Sequence, residues 1–162
     1  MIVVSNTSPL TSLAAIGQFD LLSQLYKQVH IAEGVWAELN YGGRQWPGSA
    51  EVAAAGWIQR HVVRDQVLVA ALRRDLDRGE AESIVLALEL RADLVLLDEK
   101  EGRHAAQALG LRTLGVVGLL LAGKAGGILR EVRPCLDALR AGAGFYLDEG
   151  LYRAVLAQAN EG

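Results

Sequence analysis

The chain has 162 residues, 51% of them hydrophobic and 22% charged, enough for one domain with a sizeable core and no need of disulfide or metal staples. With 16 Lys and Arg against 19 Asp and Glu, the formal net charge is -3, which excludes a surface coated in positive charge for sequence-blind binding to a nucleic acid backbone, though not a local basic groove. A lone Cys135 excludes a disulfide framework and fits a reducing compartment; the absence of a charged, then apolar, leader and of any apolar run near about 18 residues predicts a soluble cytoplasmic protein.

Taken in chain order, Ile2-Val3-Val4-Ser5 reads as a strand buried on both faces. A turn follows at Asn6-Thr7-Ser8-Pro9, with Ser8 as helix cap and Pro9 at the first helical position. Leu10, Leu13 and Ala14 share a helical face that Gly17 closes, and a second helix runs through Leu21, Leu22, Leu25 and Tyr26. Val29-His30-Ile31 is a second strand, and Val35, Trp36 and Leu39 restart a helix. Asn40 to Ser49, rich in Gly, is loop; a short Ala-rich helix ends at Gly56, and Trp57 to Val63 reads as an edge strand. Leu68, Leu72 and Leu76 repeat at helical spacing, Gly79 breaks the pattern, and Glu80 to Leu90 is helical again. Asp93 to Asp98 holds the clearest strand, followed by a helix to Gly110, a short strand at Leu111 to Thr113 and a helix from Val116 to Ala122. The remainder reads as helical, interrupted at Pro134 and at Gly142 to Gly144. Strands alternating with helices predict an α/β domain, three layers α/β/α around a mostly parallel central sheet.

Open parallel sheets carry their sites beyond the C-terminal ends of the strands. That rule selects Asn6 and Thr7 after the first strand and Asp98 and Glu99 after the Asp93–Leu97 strand, joined by Glu38 on the helix after strand two and by Glu80 and Glu82 at the start of the central helix. Oxygen donors of this kind suit a hard cation such as Mg²⁺ or Mn²⁺, which can activate water against a phosphodiester. Zinc spacings, phosphate-binding glycine loops and a serine nucleophile elbow are all absent from the sequence. Plainer readings stand beside each residue. Asp98-Glu99-Lys100-Glu101 has capping-box spacing, Glu80 and Glu82 fit first-turn acids, Glu38 fits a solvated helix position, and Asn6 fits a turn. His30, His61 and His104 have no recognisable sequence partners, and Trp36 and Trp57 read as core. Trp46, in the glycine-rich loop, is the aromatic placed to stack on a base.

Several blocks in order carry a resemblance: Val3-Val4-Ser5-Asn6-Thr7-Ser8-Pro9-Leu10, Val35-Trp36-Ala37-Glu38-Leu39, Leu76 to Ile84, Ala92 to Glu99, Arg103 to Ala106, and Leu109 to Leu120. Together they resemble a PIN domain, and within it a prokaryotic PIN-like group related to VapC toxins, with the match reaching about Leu147. The resemblance implies a single PIN-like domain over residues 1–162, with a C-terminal helical extension from about residue 134. It implies a Mg²⁺- or Mn²⁺-dependent endoribonuclease, the toxin of a type II toxin–antitoxin pair, bound by a cognate antitoxin and dimeric. Its acidic positions fall on Asn6, Glu38, Glu80 or Glu82, and Asp98, with Glu99 as helper and the hydroxyls of Thr7 or Ser8 beside the metal or its water. Asn6 stands where the family usually has Asp, and a neutral amide brings an oxygen but no charge. A degenerate domain that binds RNA or protein without cutting is the alternative. Arg44, Trp46 and Arg103 are the expected substrate contacts, Arg103 because it lies about a turn beyond Asp98; Arg73, Arg74, Arg78 and Lys124 are further basic positions.

Overall fold

A computed structural model of the chain describes residues 1–41, 46–142 and 145–162. The elements run β1 (Val3–Ser5), α1 (Thr7–Ala15), α2 (Leu21–Tyr26), β2 (Val29–Ala32), α3 (Glu33–Leu39), α4 (Ser49–Ala54), β3 (Ile58–His61), α5 (Gln66–Leu72), α6 (Arg78–Leu90), β4 (Leu94–Leu96), α7 (Lys100–Ala108), β5 (Thr113–Leu114), α8 (Val116–Ala125), α9 (Arg133–Gly142) and α10 (Glu149–Gln158). The strands form one sheet in the order β3-β2-β1-β4-β5, and every pairing is parallel. β3 is an edge strand, as its polar residues foretell.

Strand alternation divides the core in two. Val3, Val29, Ile31, Leu94 and Leu96 face one cluster with Leu10, Leu13, Leu119, Leu136 and Leu156 from α1, α8, α9 and α10. Val4, Ala32, Val95 and Leu97 face the other, with Val69, Ile84, Val85 and Ala106 from α5, α6 and α7. Helices therefore cover both faces, the three-layer α/β/α arrangement, and β1 and β4 are buried apolar runs because neither face meets water. The C-terminal helices share the first cluster with β1.

Chain order reverses at β1. The chain builds outward through β2 and β3, then returns to lay β4 on the other side of β1. That reversal leaves a crevice beyond the C-terminal ends of β1 and β4, where open α/β sheets place their ligands. Val4 pairs with Val95 and Ser5 with Leu96, and the Asn6 N–H continues the ladder to the Leu96 carbonyl at 3.0 Å, so the residues leaving both strands emerge side by side.

Local chemistry shifts several boundaries. α1 begins at Thr7 with Asn6 in the cap position, so Pro9 lies within the first turn and Ser8 is helical rather than the cap. α6 begins at Arg78, not after Gly79, because Asp77 and Glu80 form the capping box: Glu80 N–H donates to Asp77 Oδ1 at 2.8 Å, and Asp77 N–H to Glu80 Oε1 at 3.2 Å. At the start of α7 the cap position belongs to Glu99, whose side chain makes no capping bond, so the capping-box reading of Asp98 fails. Pro134 does not interrupt α9; it sits in the first turn, where a missing N–H costs nothing. The final strand lies at Thr113–Leu114, two residues beyond the predicted start. The predicted glycine turn at 142–144 falls largely outside the described residues.

Candidate active site

The crevice is built from two adjacent hydroxyls and two distant carboxylates. Thr7 and Ser8 open α1, the first residues of the helix that β1 feeds. Thr7 Oγ1 donates to Glu38 Oε2, and Ser8 Oγ donates to Asp98 Oδ2 at 2.9 Å. Each carboxylate is then fixed by a backbone donor. Glu38 Oε1 accepts from Gly79 N–H at 2.8 Å, and Asp98 Oδ1 accepts from Val116 N–H at 2.7 Å. Four elements thus meet around the residues after β1: α3 through Glu38, α6 through Gly79, the β4 exit through Asp98 and α8 through Val116.

Gly79, read from the sequence as a helix break, has a packing reason instead. A Cβ there would lie 2.6 Å from Glu38 Oε2, so only glycine lets the carboxylate reach the α6 backbone. Gly115 does the same for Asp98, since a Cβ would stand 2.9 Å from Oδ1 and 3.5 Å from Arg103 Nη1. The same geometry places the Arg103 guanidinium beside Asp98, where the sequence expected it.

Asn6 lies at the centre of this arrangement in sequence and is 3% exposed. Its Oδ1 is buried without a hydrogen-bond partner, alone in that respect among the described buried side-chain atoms. An orphaned buried acceptor is costly, and native structures reserve such atoms for a bound ion, a water or a strained function.

Burial also acts on the carboxylates. It pushes Glu38 up, against hydrogen bonds from Thr7 and Gly79 that pull down, and Asp77 adds like-charge repulsion. It pushes Asp98 up, against Val116, Ser8 and the Arg103 charge. Glu80 rises to about 7, first from burial and then from the charges of Asp77 and Glu99. Its Oε2 lies 2.9 Å from where a Cβ on Gly102 would be, so the carboxylate points at α7.

Glu82 goes elsewhere. Its Oε1 accepts from Gly34 N–H at 2.9 Å in the first turn of α3, and its Oε2 pairs with Arg78 Nε at 2.7 Å. Glu99 is exposed at the α7 cap, acting on Glu80 only through its charge. Arg78 is spent on Glu82 and Lys124 on Glu161, while Arg73 and Arg74 are exposed. Arg44 lies outside the described residues; Trp46 is exposed, and its indole N–H donates to the Tyr41 carbonyl at 3.2 Å.

The sequence reading missed two things. Asp77 raises both Glu38 and Glu80 by its charge, and its own signal was the Asp77-x-x-Glu80 capping spacing. His30 and His61, read as partnerless, face each other at 2.9 Å between Nδ1 and Nε2, joined by the parallel pairing of β2 with β3. Burial, then the neighbouring His61, lowers the His30 pKa. The two rings lie on the face opposite Trp36, whose ring carries the Arg60 guanidinium at 4.0 Å; Trp36 and Trp57 are only partly buried against the core.

The donors at the crevice are all oxygen, the chemistry of a hard cation. Among the described residues no three His, Cys, Asp or Glu side chains converge as a ready cage. The oxygen donors suit a divalent hard cation in general, and Asn6 Oδ1 is a buried oxygen among the described residues with no hydrogen-bond partner. A family model described as a PIN domain matches residues 2–161. No curated protein and no solved structure matches the chain.

Proposed function

From the premise that the chain belongs to the PIN domain family, whose members are in general nucleases acting on nucleic acid, we propose that it is a Mg²⁺- or Mn²⁺-dependent endoribonuclease. The orphaned Asn6 Oδ1 carries this reading, because it is buried beside Thr7 and Ser8, the two hydroxyls that hold Glu38 and Asp98. Asn6, Glu38 and Asp98 are the residues that would hold the cation, with Glu80, Glu82 and Glu99 as the outer acids of the same rim; Glu80 is preferred over Glu82, whose oxygens are committed to Gly34 and Arg78. A bound cation supplies a Lewis acid and a more acidic water at the scissile phosphate. The protein's own part is positional. Thr7 and Ser8 fix which carboxylate lone pairs face the crevice, and Gly79 and Val116 N–H groups hold the opposite oxygens. Glu80, pushed up to about 7 chiefly by burial, accepts from the Asp77 N–H and has charge to give up to a cation at the rim. Arg103, beside Asp98, offers two parallel N–H donors to a phosphate.

The biological reading is a VapC-like toxin of a type II toxin–antitoxin pair, cytoplasmic and homodimeric, with a cognate antitoxin covering the crevice. Residues 1–162 would act as one PIN-like domain with α9 and α10 as its C-terminal extension. No helix among the described residues is long and apolar enough to cross a membrane. The deciding experiment is cleavage of RNA with and without Mn²⁺ by the wild type and Asp98→Asn, alongside growth of cells expressing each. Metal-dependent cleavage and growth arrest, both lost in Asp98→Asn, support the proposal. A second reading rests on Asn6 itself: an uncharged first position and carboxylates already satisfied by hydroxyl and amide donors describe an RNA- or protein-binding module. Absence of cleavage even at high Mn²⁺, with binding intact, would select it.

A further inference from the structure

His30 and His61 form a pair of potential metal ligands that the crevice chemistry leaves unused. His30 lies on β2 and His61 ends β3. Both point to the same side of the sheet: His30 is paired with Val4 and His61 with Ala32, and Val4 and Ala32 belong to the apolar cluster packed against α5, α6 and α7. Nδ1 of His30 and Nε2 of His61 are 2.9 Å apart, with ring centroids 5.0 Å apart and planes tilted by 46°. Among the described residues no other hydrogen bond and no ion pair engages either ring, so no carboxylate or carbonyl fixes the tautomers. Both side chains are partly exposed near the β3 edge of the sheet, within reach of water and ions. Burial, then the neighbouring His61, holds the His30 pKa below its usual value, so this imidazole is uncharged at neutral pH.

We propose that His30 and His61 together bind one first-row transition cation of borderline character, represented by Zn²⁺, at a site separate from the crevice. Imidazole nitrogen suits Zn²⁺, Cu²⁺ or Ni²⁺, whereas Mg²⁺ and Mn²⁺ favour oxygen donors such as those of the crevice. Two imidazole nitrogens on one tetrahedral Zn²⁺ stand about 3.3 Å apart, so the pair has to open by only a few tenths of an ångström, roughly. That exchanges one N–H···N bond for two bonds to the ion. The hydrogen now shared between the rings passes through water to the outer nitrogen of the donor ring, and both rings remain neutral ligands. No third His, Cys, Asp or Glu joins them among the described residues, so water holds the remaining positions and the ion is exchangeable. Bound there, it links the edge strand β3 to β2 and stabilises that side of the sheet.

The test is a titration of the full chain with Zn²⁺ against a chromophoric chelator, with and without excess Mg²⁺, alongside the histidine imidazole resonances followed by NMR. One Zn²⁺ per chain is expected at this site, undisturbed by Mg²⁺, shifting the His30 and His61 signals and not those of His104. His30→Gln and His61→Gln are each expected to weaken binding at least about tenfold, and His104→Gln to leave it unchanged. Binding should also weaken in acid, where protons compete for both nitrogens. Circular dichroism checks the fold of each variant; where one fails to fold, the wild-type imidazole signals decide. Absence of Zn²⁺ binding, undiminished affinity in both folded histidine variants, displacement of Zn²⁺ by Mg²⁺, or His30 and His61 signals that Zn²⁺ does not move would overturn the site. It stands or falls independently of the nuclease reading, since RNA cleavage enters none of these measurements.

Discussion

At the crevice beyond β1 and β4, burial pushes Glu38, Glu80 and Asp98 upward, and none of the three is in an ion pair among the described residues. Near the C-terminus Glu161 behaves oppositely. Burial would raise it too, but Lys124 Nζ at 2.8 Å and the N–H groups of Val132 and Arg133 at 2.7 and 3.0 Å outweigh that and bring it down to about 2. Both regions tie together segments remote in sequence. They differ in whether the fold supplies the positive charge. Glu161 has its cation built in, and its task is to hold the end of the chain against α8 and the start of α9. The crevice carboxylates are bonded by hydroxyls and amides, and the charges of Arg103 on Asp98 and Arg78 on Glu38 act without an ion pair and do not offset burial, so charge brought from outside has something to gain there.

The comparison breaks most visibly in activity. Glu38→Ala and Asp98→Ala are expected to lower Mn²⁺-dependent RNA cleavage by at least roughly a hundredfold while far-UV circular dichroism stays that of the wild type. Glu161→Gln is expected to leave the rate per folded molecule unchanged. Equal losses in all three variants would mean that the crevice carboxylates are structural in the same sense as Glu161.

A cation should also register in stability. Saturating Mn²⁺, at about a hundred times its dissociation constant, is expected to stabilise the wild type by about 2.7 kcal/mol in thermal unfolding. Asn6→Asp should increase that response and lower the melting temperature without metal, since it buries one more charge with no cation to face it. An unchanged response in Asn6→Asp would separate Asn6 from the ion. Glu161→Gln, by contrast, should cost about 1–3 kcal/mol for weakened charge-assisted hydrogen bonds, with or without Mn²⁺. Its pH dependence has a definite sign. The folded pKa lies near 2 and the unfolded one near about 4.3, so Glu161's contribution is complete above about pH 5 and disappears as pH falls through 2. The variant and wild type should therefore converge in acid.

Much of this was written locally. The Val3-Val4-Ser5 and Leu94-Val95-Leu96 runs identify strands buried on both faces, and the rule for open sheets then points to Asn6 and Asp98 before any side chain is seen. What was not legible depends on partners far along the chain. Asp98 has the spacing of a capping box, yet its oxygens go to Ser8, 90 residues back, and Val116, 18 residues on. Gly79 looks like a helix break because nothing nearby announces the Glu38 carboxylate from 41 residues earlier. Spacing to the next strand favours Glu80 while leaving Glu82 close enough to be the ligand; that Glu82 accepts from Gly34, 48 residues away, is not legible locally. His30 and His61 become neighbours only through the register of two parallel strands.

The smallest expected effect is the sharpest on the Glu80 and Glu82 distinction. Glu80 is raised to about 7 in the folded protein, above its unfolded value near about 4.3, so its contribution to stability is fully present below about pH 4 and is lost as pH rises through 7. Glu80→Gln keeps an oxygen to accept from the Asp77 N–H and removes the charge that Asp77 and Glu99 repel. It should therefore gain about 1 kcal/mol over the wild type at pH 8, once solvent screening is allowed for, and nothing at pH 4. Glu82→Gln loses its ion pair with Arg78 and should be destabilised at pH 8 instead. With Mn²⁺ present the Glu80→Gln advantage at pH 8 should shrink, because the ion favours the ionised wild-type carboxylate and the variant has none to offer. If Mn²⁺ widens the deficit of Glu82→Gln and leaves the Glu80→Gln advantage unchanged, the outer carboxylate of the cation site is Glu82, and its bonds to Gly34 and Arg78 open when the ion binds.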